Sequence, residues 1–231
     1  MDSGGGRGPA ERVGPAVGIL SPVTETIKDK TVGSPERFVT FLDAVAAIAL
    51  TLLILPLLET ISDVEEGESF GALVHDHLAQ FGAFVLSFAV ISQFWWGHHK
   101  MFRHIAALTL PIVRWSQLWM FAIVFMPITT AITTALDSSP ATVGLYGGTL
   151  LLTSGSMMML AIYVYRHQEL NNPETPATRE HVLGNVSVFV SMLVATLIGC
   201  IFADTVSYWA FLLLFLAGPL QAVVKTRWRR A

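Results

Sequence analysis

Three observations on this 231-residue chain predict an all-α fold that crosses a membrane six times and keeps both termini in the cytoplasm. The chain is 53% hydrophobic and 13% charged, a balance outside that of ordinary soluble domains. Its apolar residues collect into six segments of about 20 residues, the helix length that about 30 Å of hydrocarbon requires. Laying those segments alternately across a bilayer puts all fourteen lysines and arginines on one side, the side that basic short loops mark as cytoplasmic. A missed or extra helix breaks that pattern. The net charge of −3 points to no nucleic-acid partner, and a single cysteine, Cys200, excludes an intrachain disulfide.

Residues 1–34 scatter proline, glycine and charge, a composition that buries no core, so a disordered cytoplasmic tail is expected there. No apolar segment precedes Phe38, so no cleaved signal peptide is expected. The membrane domain takes residues 35–226. It opens at Ser34-Pro35-Glu36, with serine as N-cap, proline in the first turn and an acid at the positive helix end. The first span covers residues 38–58. Residues 59–77 then carry acids without lysine or arginine, an acidic external loop.

The second span, residues 78–96, ends among the indoles and basic groups of residues 94–104, which suit a membrane-water interface. In the third, residues 115–136, Pro127 frees a backbone carbonyl that Thr129 and Thr130 can satisfy. A short loop leads to the fourth span, residues 142–165, where Gly144, Gly147, Gly148, Gly155 and Ser156 permit close helix approach. Polar residues 166–181 follow, with Asn171-Asn172-Pro173 and Pro176 as breakers. The fifth and sixth spans, residues 182–203 and 206–224, are separated by Asp204 and Thr205. Residues 227–231 form a basic end, in which Arg227, Arg229 and Arg230 surround Trp228 and suit anionic headgroups.

In the first span, Ile48, Leu52 and Leu55 recur at i, i+4 and i+7, so they share one stripe with Thr51 beside them and Phe41 and Ala44 continuing it. By periodicity alone that stripe faces lipid or a pore. Asp43 precedes Ile48 by five residues and points away from the stripe, towards neighbouring helices. A carboxylate there needs a partner, because intramembrane charges survive inside a bundle rather than against lipid.

Arg37, then Phe41-Leu42-Asp43 at the start of this helix resembles the transmembrane protein 175 family of potassium channels, whose hallmark is an arginine, three residues and Phe-Ser-Asp. Leu42 stands in place of the serine. Two further elements extend the resemblance: Trp95, His98 and Phe102 at the end of the second span, and Met126-Pro127-Ile128-Thr129-Thr130 in the third. Eleven residues before that proline, where many relatives carry asparagine, stands Ser116. The matches cover about residues 37–130.

The resemblance implies a channel for potassium, of the bacterial single-repeat type, in the cell membrane. It implies a homotetramer whose pore is lined by the first helix of each subunit. Ile48 then forms the narrowest, hydrophobic constriction, acting as selectivity filter and gate. Leu52 and Leu55 continue the apolar lining, and Thr51 offers a hydroxyl to a passing ion. Arg37, Phe41, Asp43, Trp95 and His98 are the expected motif and interhelical network that holds the first helix against the second and third, with His98 donating to a carboxylate and Trp95 closing the site. The implied partners are the permeant potassium ion, the lipid bilayer and other copies of the chain, with no cofactor.

Two rival classes remain to be weighed. A secondary transporter using Asp43 as a proton or cation site usually shows inverted repeats and broken mid-membrane helices, and the first and last three spans show no similarity. An enzyme or metal protein built on His98, His99 and His104, or on His75-Asp76-His77, lacks a nucleophile, a base and a completed ligand set. In the acidic external stretch, His75 and His77 are expected to be solvated, with pH sensing as their other possible role.

Overall fold

A computed structural model describes residues 31–62 and 69–203. Its elements are α1 (Pro35–Leu52), α2 (Leu55–Ser62), α3 (Phe70–Asp76), α4 (Leu78–Phe102), α5 (Leu110–Ala135), α6 (Pro140–Arg166), a three-residue 3-10 turn (Gln168–Leu170) and α7 (Arg179–Ile201). Five segments are long and apolar enough to cross a membrane: α1 with the start of α2, then α4, α5, α6 and α7. The chain is an all-α polytopic membrane protein. The sixth span expected over 206–224, the tail over 1–30 and the basic end lie outside the described residues.

The first span is not one continuous helix. Pro56 has no N–H to offer and its ring collides with the carbonyl four residues back, so the ladder breaks at Leu53 and Ile54. The Ile54 N–H turns to Thr51 O at 3.3 Å, and the helix resumes from Leu55. Ser34 takes the N-cap position with extended backbone, but its side chain makes no cap bond. The second span is longer than expected, because α4 carries Trp95, His98, His99 and Phe102 on unbroken helix to Phe102. Nothing among these residues stops a helix, and the fall in hydropathy after Trp96 marks the interface rather than a helix end. Part of the expected external loop is helical as well. There Ser69 Oγ accepts the Ala72 N–H at 3.2 Å and starts α3.

The helices pack in a chain of neighbours. α1 lies on α4 and α5, α5 on α6, and α6 on α7, while α2 and α3 lie on α4. Trp119, Ile123 and Met126 of α5 meet Tyr146 and Leu150 of α6 in the fully buried centre. Gly147 and, less tightly, Gly155 of α6 set its distance from α7, while Gly144 has room for a methyl. Substituting a methyl at Gly147 would place it 2.5 Å from Thr196 Cγ2 and Oγ1; at Gly155, 3.3 Å from Phe189; at Gly144, 3.6 Å from Cys200 Sγ. Gly148 faces open space.

A polar cluster lies within this core. Thr130 Oγ1 is 2.9 Å from both Met126 O and Ser87 Oγ, and Ser87 Oγ is 3.2 Å from Tyr146 Oη. These hydroxyls join α4, α5 and α6. Both threonine hydroxyls after Pro127 reach Met126 O, whereas the proline deprives the carbonyl of Ile123, four residues back, of its usual donor. Replacing Thr130 by Val removes the α4–α5 bond at nearly constant volume. It is expected to cost about 1 kcal/mol in detergent unfolding, the upper range of interhelical hydrogen bonds in membranes. Unchanged stability would mean that the cluster contributes nothing net.

At one end the linkers pair with each other. Ile105 and Asn171 form an antiparallel bridge, Ala106 N–H donates to Leu170 O at 2.9 Å, and Thr175 Oγ1 donates to Arg103 O at 2.7 Å. Val32 N–H donates to Leu108 O at 2.9 Å on the same side. At the opposite end Ser138 Oγ donates to Ala203 O at 3.0 Å. Lys100, Arg103, Arg166 and Arg179 all belong to the end with the paired linkers, in agreement with the charge asymmetry of the sequence.

Candidate functional site

The two faces of α1 differ in what they meet. Leu42, Ala46 and Ala49 are buried, as is Leu53 just beyond the helix, because this face packs on α4 and α5. Arg37, Phe41, Ala44, Ile48, Thr51 and Leu52 are exposed, and Leu55 of α2 continues their line. Ile48 is 59% exposed and Leu55 49%, so no helix of this chain among the described residues covers the stripe. Thr51 Oγ1 donates its proton to Ile48 O at 2.8 Å. That leaves the oxygen lone pairs to face outward, a polar point on an apolar stripe.

Behind the stripe, on the packed side, Asp43 is held at two points. Its Oδ1 accepts from Trp95 Nε1 at 2.8 Å, and its Oδ2 lies 2.9 Å from His99 Nδ1. Both partners come from one turn of α4, where residues four apart share a face. His99 stacks on Trp96 with ring centres 5.9 Å apart and planes within 3°. Lys100 Nζ lies 5.0 Å from the centre of the Trp96 ring. The carboxylate is part-buried and half-ringed by indole and imidazole donors, so neither oxygen is left bare.

This corrects one expectation about the junction. His98 does not donate to a carboxylate: it points about 100° away from His99 around α4 and stacks on Trp119 at 3.9 Å, with Phe102 at 4.9 Å. It is fully buried, and neither ring nitrogen has a hydrogen-bond partner among the described residues. Leu42, at the position of the family serine, is fully buried in the apolar core and supplies no hydroxyl. Ser116 is buried, and its Oγ has no hydrogen-bond partner among the described residues. Arg37 also stays out of the network, being exposed and paired with no carboxylate among the described residues. Phe41 sits on the exposed stripe at 55% exposure.

His99 is the residue that reading the motif missed. The signal that finds it is its spacing of four from Trp95, which gives the two side chains a common direction, whereas His98 turns towards α5. Among the described residues no group of three or more histidine, cysteine, aspartate or glutamate side chains is placed to hold a metal ion.

Residues 37–127 match the family model described as endosomal/lysosomal potassium channel TMEM175. The matched segment runs from Arg37 to Pro127 and takes in the stripe, Asp43 and the whole of α4. Comparison with curated proteins gives no match.

Proposed function

We propose, from the match of residues 37–127 to the model of the TMEM175 potassium channels, a family of ion channels rather than enzymes, that four copies conduct potassium through a central pore lined by α1. The carrying observation is the stripe itself. Among the described residues α1 is the helix that a part-buried carboxylate fixes from behind while its other face stays an uncovered apolar line, so a pore lined by α1 needs copies related by rotational symmetry. Four copies then form rings of Ile48, Leu52 and Leu55.

An apolar ring without oxygen ligands makes an ion shed part of its hydration shell uncompensated. Potassium loses less by that than the smaller, more strongly hydrated sodium, and the same ring can close by dewetting. In this reading Ile48 is filter and gate together, and Thr51 presents a hydroxyl oxygen just beyond it. The cell membrane is the proposed location. The transporter reading is disfavoured by the geometry around Asp43, whose two oxygens are both engaged by donors of α4.

Purified protein in proteoliposomes tests the proposal, with potassium, sodium and caesium uptake in parallel and unitary currents in planar bilayers. Potassium-favouring flux with discrete current steps is expected, together with a native mass of four chains. Flux without unitary steps would indicate a carrier. A stable dimer or monomer that still conducts would remove the fourfold pore.

A further inference from the structure

We propose that His99, rather than the motif histidine His98, is the positioning residue that sets the pore-lining helix, acting through Asp43. The inference rests on the pore reading for its consequence, and on the side-chain geometry for its substance. The Asp43 carboxylate stands on α1 five residues before Ile48, about one and a half turns. Trp95 holds one oxygen and His99 the other. With one donor, α1 could pivot about that single bond. With two, on separate oxygens, the plane of the carboxylate is fixed, and with it the rotation of α1 about its own axis. That rotation decides which side chains meet the pore axis.

The imidazole of His99 is itself held. Its plane lies against Trp96 within 3°, and Trp96 is in turn approached by Lys100. His98 has none of these contacts with α1. Its ring is stacked on Trp119, and both nitrogens lack partners among the described residues. The hydroxyl that the family motif carries at Leu42 is absent, and His98 behaves here as a flat space-filling ring of the core. The tie to α1 runs instead through His99, one position further along α4.

The chemistry of the bond gives a discriminating test. Nδ1 of His99 is the engaged nitrogen, and an asparagine amide reaches the position of Nδ1, whereas a glutamine amide reaches that of Nε2. His99→Ala is expected to lower the potassium-over-sodium flux ratio about five-fold, the size of effect that one coupled contacting pair carries. His99→Asn restores most of the ratio and His99→Gln does not. In Asp43→Asn/His99→Ala the loss equals that of Asp43→Asn alone, because His99 acts through Asp43.

The same set of variants is to be followed by thermal unfolding in detergent, read from tryptophan fluorescence, which does not depend on conduction. Non-additive losses of thermal stability support the tie even if the native protein passes no potassium, in which case the pore reading fails and the tie stands. Additive losses in the double variant, rescue by glutamine as full as by asparagine, or a His99→Ala protein with native flux ratio and native melting would each overturn the proposal.

Discussion

Ile48→Asn is expected to abolish most of the discrimination between potassium and sodium while leaving the fold intact. Ile48 is 59% exposed in the subunit, so the substitution neither opens a cavity in the subunit core nor buries an amide there. Its effect falls on the ring that four subunits form. Four amide oxygens replace four aliphatic chains at the constriction, and an ion that previously lost water without compensation regains ligands. Sodium gains more from this than potassium, because it gave up more hydration. A differential gain of about 1.4 kcal/mol suffices for a tenfold loss of selectivity.

The measurement is the ratio of potassium to sodium flux in proteoliposomes, taken beside thermal unfolding. A lowered ratio at unchanged melting temperature locates the filter at Ile48. An unchanged ratio at full flux would move the constriction along the stripe, to Leu52 or Leu55.

The largest effect on stability is expected at a position with no part in conduction. Gly147→Val should destabilise the bundle by about 3 kcal/mol, the upper part of the usual range for overpacking a core. Even one methyl there would lie 2.5 Å from two atoms of Thr196, and valine adds two more carbons. Thr196 cannot swing aside freely, since its β-branched side chain has few rotamers on a helix and its hydroxyl donates to Met192 O at 2.8 Å.

Two companion variants make the argument specific. Gly148→Ala, one residue on and facing open space, should be neutral or stabilising by about 0.5 kcal/mol through helix propensity. Gly147→Ala combined with Thr196→Ala should regain most of what Gly147→Ala alone loses. A destabilised Gly148→Ala, or no regain in the pair, would mean that α6 and α7 do not approach as closely as this geometry requires.

Much of this architecture was legible from the chain because the forces that build it are periodic. The stripe of Phe41, Ala44, Ile48, Leu52 and Leu55 follows helical spacing, and the exposure of α1 follows the same line. The direction of Asp43, opposite to it, came from the same rotation per residue. The gathering of Lys100, Arg103, Arg166 and Arg179 at one end of the bundle and the close-packing glycines of α6 were also readable, except that Gly148 faces outward and Gly144 has room for a methyl.

What spacing could not supply were choices between neighbours and departures from regularity. His98 and His99 are adjacent, both plausible donors, and the outcome depends on where Trp119 offers a ring to stack on. The break before Leu55 was carried by Pro56, but an apolar run hides it, since hydropathy does not register a missing N–H. The pairing of the two linkers that follow α4 and α6 joins residues more than sixty positions apart, and no local pattern announces it.

That pairing sets an order of events during synthesis. Ala106 N–H and Asn172 N–H find their acceptors in Leu170 and His104, so the turn between α4 and α5 cannot close on its partner until residues 170–172 have left the ribosome. At about 5–20 residues per second, the intervening chain takes several seconds to make. Through that interval the turn after α4 keeps its polar groups hydrated while α5 and α6 are still being made. The final stitching is a late step, possible only once α6 has been synthesised.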